Sequence, residues 1–137
     1  MGASRSFNSF RIISLLTAAL YVFLFVSLFF FPDSIMEGAG IQGGEMAYFM
    51  ARRTSMLMLS FAVLLILVSG AERSRLRAII GLIVAFNMTG FASTGISEYA
   101  LGRIDAHIFV SVCVELTVSA LFAVQSFSDL RKIRQSA

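Results

Sequence analysis

The chain has 137 residues, of which 58% are hydrophobic and 14% charged, with a mean hydropathy of +0.85 and a formal net charge of +3. Globular domains carry about 45–50% apolar and about 25% charged residues, so a water-soluble fold of this composition would lack the polar surface to stay dispersed. The positive charge does not point to nucleic acid, because the basic residues fall in short clusters between apolar runs, where they hold anionic headgroups.

Four apolar stretches follow one another, at residues 11–31, 46–69, 77–96 and 104–127. Each reaches the about 20 residues that a helix needs to cross the hydrocarbon of a bilayer. The predicted fold class is therefore all-α, a single-domain integral membrane four-helix transmembrane bundle.

The first stretch has no charge between Ile12 and Phe31, and Pro32, the only proline, is expected to stop its helix. It exceeds the about 7–15-residue core of a signal peptide, and Pro32-Asp33 stands where small residues would prepare cleavage, so it reads as a retained helix. Tyr21 lies too deep for an interfacial role and should point into the bundle. In a chain without tryptophan, Tyr48, Tyr99, Phe49, Phe7 and Phe10 are the expected interface anchors. Residues 32–45 read as a long acidic loop with Gly38, Gly40, Gly43 and Gly44.

The second stretch carries Arg52 and Arg53 near its start. Adjacent helical residues point about 100° apart, so one arginine is expected to snorkel to headgroups and the other, Arg53, to enter the bundle. The third stretch has Gly81, Ala85, Thr89 and Ser93 four apart, a small-residue face on which helix backbones approach closely in lipid. Asn87 sits near its middle.

The fourth stretch bears the one carboxylate inside an apolar run, Glu115. Counted from residue 104 it lies about 16 Å deep, where a charge costs about 2.5–3.5 kcal/mol or more and turns toward the bundle interior. His107, Ser111, Glu115 and Ser119 recur every four residues and predict one inward polar stripe. A hydrogen bond from Asn87 to a protonated Glu115 would satisfy both groups, and Arg52 or Arg53 is the alternative partner. Such a site would handle a proton or a ligand; equally, it would clamp helices together. Cys113 has no second cysteine to pair with and reads as a small buried side chain.

Lys and Arg placement predicts orientation. Arg5, Arg11, Arg73, Arg75, Arg77, Arg131, Lys132 and Arg134 fall on one side, and Arg52, Arg53 and Arg103 on the other, eight against three. Four crossings place both termini on the basic side, hence N-in and C-in. The same imbalance disfavours a dual-topology exporter.

No nucleophile elbow, phosphate loop or zincin motif is present, so catalysis is not the expected role and no catalytic residue is assigned. No cofactor is required by the sequence. A quinone would suit a polar pocket at Glu115, and lone His107 is one axial ligand for a haem or chlorophyll-type pigment, but no metal site can be assembled from it.

Phe31-Pro32-Asp33 closing the first helix, Ala51-Arg52-Arg53 in the second, and Arg77-Ala78-Ile79 opening the third with Asn87 at its middle resemble the small bacterial four-helix membrane proteins of the DoxX-like and DUF4345-like group. The resemblance, over about residues 12–125, implies a multi-pass protein of the bacterial inner membrane and a faint link to quinones or respiration. Glu115 is not part of that pattern. The functional expectation is a non-catalytic accessory or assembly subunit of a larger membrane complex, contacting lipid and either a membrane protein partner or further copies of itself, and not nucleic acid. The alternative is a small carrier or quinone-like lipophile-binding protein using Glu115.

Overall fold

The structure, a computed structural model, describes residues 3–38, 41 and 44–136, with side chains placed from 9 to 135. Gly40, Gly43 and the side chain of Phe7 lie outside the described residues. The chain forms α1 (Ala3–Phe30), α2 (Pro32–Gly38), α3 (Glu45–Ser69), α4 (Arg75–Ala100) and α5 (Ile108–Ser136). Four of these helices are long and apolar enough to cross a membrane, so the protein is an all-α multi-pass membrane protein.

Pro32 does not simply end the first helix. It opens the short α2, where its missing N–H and fixed φ suit the first helical position. The acidic segment read as loop is therefore partly helical. The last helix starts four residues later than expected, at Ile108, and continues to Ser136. It thus lifts Arg131, Lys132 and Arg134 onto the helix.

Every long helix buries a face whose residues are spaced alternately three and four apart. In α1 this face holds Phe10, Ser14, Thr17 and Tyr21; in α3, Ser55, Met58, Ala62, Leu65 and Ser69. In α4 it is Ala78, Gly81, Ala85, Met88, Ala92 and Gly95, and in α5 Val112, Ser119, Phe122, Ser126 and Asp129. A repeat of seven residues keeps one seam facing a neighbour along a gently supercoiled pair. The seams are rich in Gly, Ala and Ser, while Leu67, Phe86 and Val110 stand outward, as lipid-bathed helices require.

The helices pair unequally. α1 packs along α3 and α4 packs along α5, and the two pairs meet chiefly where α1 crosses α5. At that meeting Phe10 sets its ring edge-on to Phe122 at 6.1 Å, both fully buried with Leu65. Phe10 is thus a core residue and not the interface anchor its position suggested. The end containing Phe10, the α3–α4 connection and the C-terminal part of α5 is closed; toward the opposite end the two pairs part.

Candidate functional site

The parting of the two pairs leaves a cleft of about 570 Å³, within the size range of small-molecule sites. Leu20, Tyr21, Leu24 and Leu28 of α1 form one wall, with Met58 of α3 beside them. Met88, Phe91, Thr94 and Gly95 of α4, with Ile108 and Glu115 of α5, form the other. Glu98, Arg103, Ile104 and Ile41 stand at the mouth.

Local chain geometry builds that mouth. α4 ends in a Schellman motif: Arg103 N–H donates to the Glu98 carbonyl at 3.1 Å and Gly102 N–H to the Tyr99 carbonyl at 2.9 Å. Gly102 takes φ +69°, the left-handed conformation that glycine adopts without cost from a Cβ. The reversal folds Arg103 back over the helix end, and its Nη1 donates to both Glu98 carboxylate oxygens at 3.3 Å.

Glu115 lies seven residues into α5, about 10 Å from the helix start at 1.5 Å per residue. That is shallower than expected, because the helix begins at Ile108. Its carboxyl is half-buried in the cleft wall and makes no hydrogen bond or ion pair among the described residues. Tyr21, fully buried as expected, stacks on Phe61 at 5.6 Å. Its hydroxyl has no hydrogen-bond partner, and it lines the same cavity as Glu115.

The other expected partners are elsewhere. Asn87 does not bond Glu115; its Oδ1 is buried without a partner. Neither Arg52 nor Arg53 enters the bundle. Arg52 Nε donates to the Phe29 carbonyl at 3.3 Å, and the Arg53 guanidinium lies 5.6 Å from the Phe49 ring centre. The polar stripe winds away because every fourth residue advances about 40° around a helix of 3.6 residues per turn. His107 precedes α5 and is exposed, Ser111 is exposed, and only Glu115 and Ser119 turn inward. Cys113 is likewise exposed on the outer surface.

The expected small-residue face does pack. The Ser119 hydroxyl donates to the Ala85 carbonyl at 2.8 Å and lies 2.8 Å from Thr89 Oγ1. At Gly81 a Cβ would come within 2.2 Å of Ser126 Oγ. Ser93 departs from that face, and its hydroxyl returns to the Thr89 carbonyl at 2.8 Å. Gly95 takes over, a Cβ there meeting Ile108 and Val112 at 3.1 and 3.2 Å.

The closed end carries a second polar constellation. Ser74 caps α4, its Oγ accepting from Arg77 N–H at 3.2 Å, and the first turn then carries the Arg77 side chain inward. Arg77 Nε donates to Asp129 Oδ2 at 3.1 Å and Nη2 donates to the same oxygen. Nη1 donates to the Ala71 carbonyl at 3.1 Å. Arg73 Nε reaches Asp129 Oδ1 at 3.0 Å, and Gln125 Nε2 reaches it at 3.3 Å. The Arg77 guanidinium also lies 4.5 Å from the Phe10 ring centre. Arg77 is therefore a buried ion-pair residue and not a free loop charge. Asp129 escaped the sequence reading because it falls just beyond the apolar stretch, although Ser119, Phe122, Ser126 and Asp129 keep the spacing of the buried seam.

Known families, characterised proteins and solved structures show no match to this chain. The DoxX-like likeness therefore rests on the short motifs quoted above. Among the described residues no group of His, Cys, Asp and Glu is placed to hold a metal ion.

Proposed function

We propose that this protein binds or carries a lipophilic small molecule in the cleft between its two helix pairs. The observation behind this reading is a carboxyl and a phenol hydroxyl, both without partners, set in an otherwise apolar cavity that widens toward one end of the bundle. A few polar groups converging in an apolar cleft are the usual makings of a ligand site, and an intramembrane ionisable residue is costly to keep without a use. The proposed setting is the bacterial inner (plasma) membrane with both termini cytoplasmic, supported by the eight-to-three division of basic residues. The cleft then faces outward. Thr94→Phe, which fills the cleft from α4, should abolish saturable binding of a decyl-benzoquinone probe to the purified protein. Undiminished binding would sink the reading.

The accessory-subunit reading has its own support in α5, which buries 11% of its apolar span where the other three bury 28–33%. A helix so uncovered suits packing against another membrane protein. Stoichiometric co-purification of one partner from native membranes in a mild polymer favours this role, and a chain recovered alone counts against it.

A further inference from the structure

We infer that the ligand of the cleft is a lipophilic organic cation, a hydrophobic body bearing a single positive charge, held by Glu115. The inference rests on the ligand-binding reading and narrows it to a chemical class.

The positive side chains near the cleft are already engaged. Arg103 holds Glu98, Arg52 holds the Phe29 carbonyl and Arg53 lies on Phe49. None makes an ion pair with Glu115, so a carboxylate there has no counter-ion among the described residues. An unpaired charge in a low-dielectric wall is unfavourable, and a cationic guest removes that penalty at the moment it binds. The charge of the open end favours the same guest. Arg52, Arg53 and Arg103 are outnumbered there by Asp33, Glu37, Glu45, Glu98 and Asp105, and a mouth with excess negative charge concentrates cations.

The walls set the rest of the chemistry. Phe91, part of the α4 wall, offers an aromatic ring to a positive group. Met58 and Met88, on the α3 and α4 walls, are flexible and polarisable and fit guests of varied outline. Leu20, Leu24 and Leu28 require that the remainder of the guest be apolar. Tyr21, whose buried hydroxyl has no hydrogen-bond partner, lines the same cavity as Glu115.

The test is equilibrium dialysis of the purified full chain in lipid nanodiscs with tetraphenylphosphonium and, separately, with a neutral decyl-benzoquinone. The wild type should bind the phosphonium saturably, and Glu115→Gln should weaken it about 10- to 100-fold, the worth of a charge-assisted contact. The quinone should bind the wild type saturably, and a circular-dichroism spectrum and thermal unfolding midpoint like those of the wild type show Glu115→Gln to be folded. Equal phosphonium affinity in the two proteins overturns the cation assignment, while quinone binding that Thr94→Phe abolishes leaves the ligand-binding reading standing. If neither probe binds the wild type saturably, both fall.

Discussion

Asp129 accepts hydrogen bonds from Arg73, Arg77 and Gln125 while excluded from solvent. Its carboxylate and the Arg77 guanidinium neutralise one another, so the two side chains are best considered as one group. Removing the negative charge alone leaves a buried cation with only neutral acceptors and one ring around it. Asp129→Asn should therefore lower stability by about 3–5 kcal/mol, read as a fall in the thermal unfolding midpoint in detergent. Replacing both together, Arg77→Met with Asp129→Leu, should restore most of the loss, because well-packed apolar groups substitute for a buried pair at little cost. Cys113 offers a simpler residue-scale check. Its outward placement predicts that Cys113→Val leaves the unfolding midpoint in detergent unchanged.

At the scale of elements, the α4–α5 pair depends on contact between small residues. Gly81 and Ser126 are in such close apposition that an added methyl group must displace the serine hydroxyl, which already lacks a partner. Gly81→Ala should destabilise the protein by about 1–3 kcal/mol, the usual range for an overfilled seam. Ser126→Ala in the same chain should recover it, since the second change removes the colliding atom and no hydrogen bond. If the double variant is no better than Gly81→Ala alone, the seam is not set by this contact.

The helices themselves were legible because twenty or so apolar residues have few other fates, and the Gly81-Ala85-Thr89 face was legible because small side chains mark close approach in lipid. Spacing by fours misled at longer range: Ser93 and Ser111 rotate off the seams that Gly95 and Val112 occupy. Glu115 announced itself as a charge within an apolar run. Its surroundings did not, because where Arg53, Asn87 and Arg103 end up is set by helix rotation and by the turn at Gly102, which hydropathy does not report. Asp129 and Arg77 resembled ordinary surface charges, and only their position on the three–four repeat sets them apart.

For the whole molecule, the division of charge between the ends and the division of packing coincide: the basic end is closed and the acidic end is open. The proposed orientation places the open end outside. In a Cys113→Val background, Ser34→Cys should react with an impermeant maleimide added to intact cells, and Gln135→Cys should react only after lysis. The reverse labelling pattern inverts the orientation and makes the cleft face the cytoplasm.

The link between Arg77 and Asp129 spans 52 residues of chain, and it joins the start of one membrane helix to the last turns of the next. During synthesis at about 5–20 residues per second, several seconds separate the appearance of the arginine from that of its counter-charge. Until then α4 has a bare guanidinium at its entrance and only the preceding carbonyls and phosphate headgroups to satisfy it. A nascent chain that has not yet reached Asp129 therefore differs chemically at the closed end of the bundle from one that has passed it. The Asp129 carboxylate decides whether Arg77 stays at the bilayer surface or turns inward to join α4 to α5.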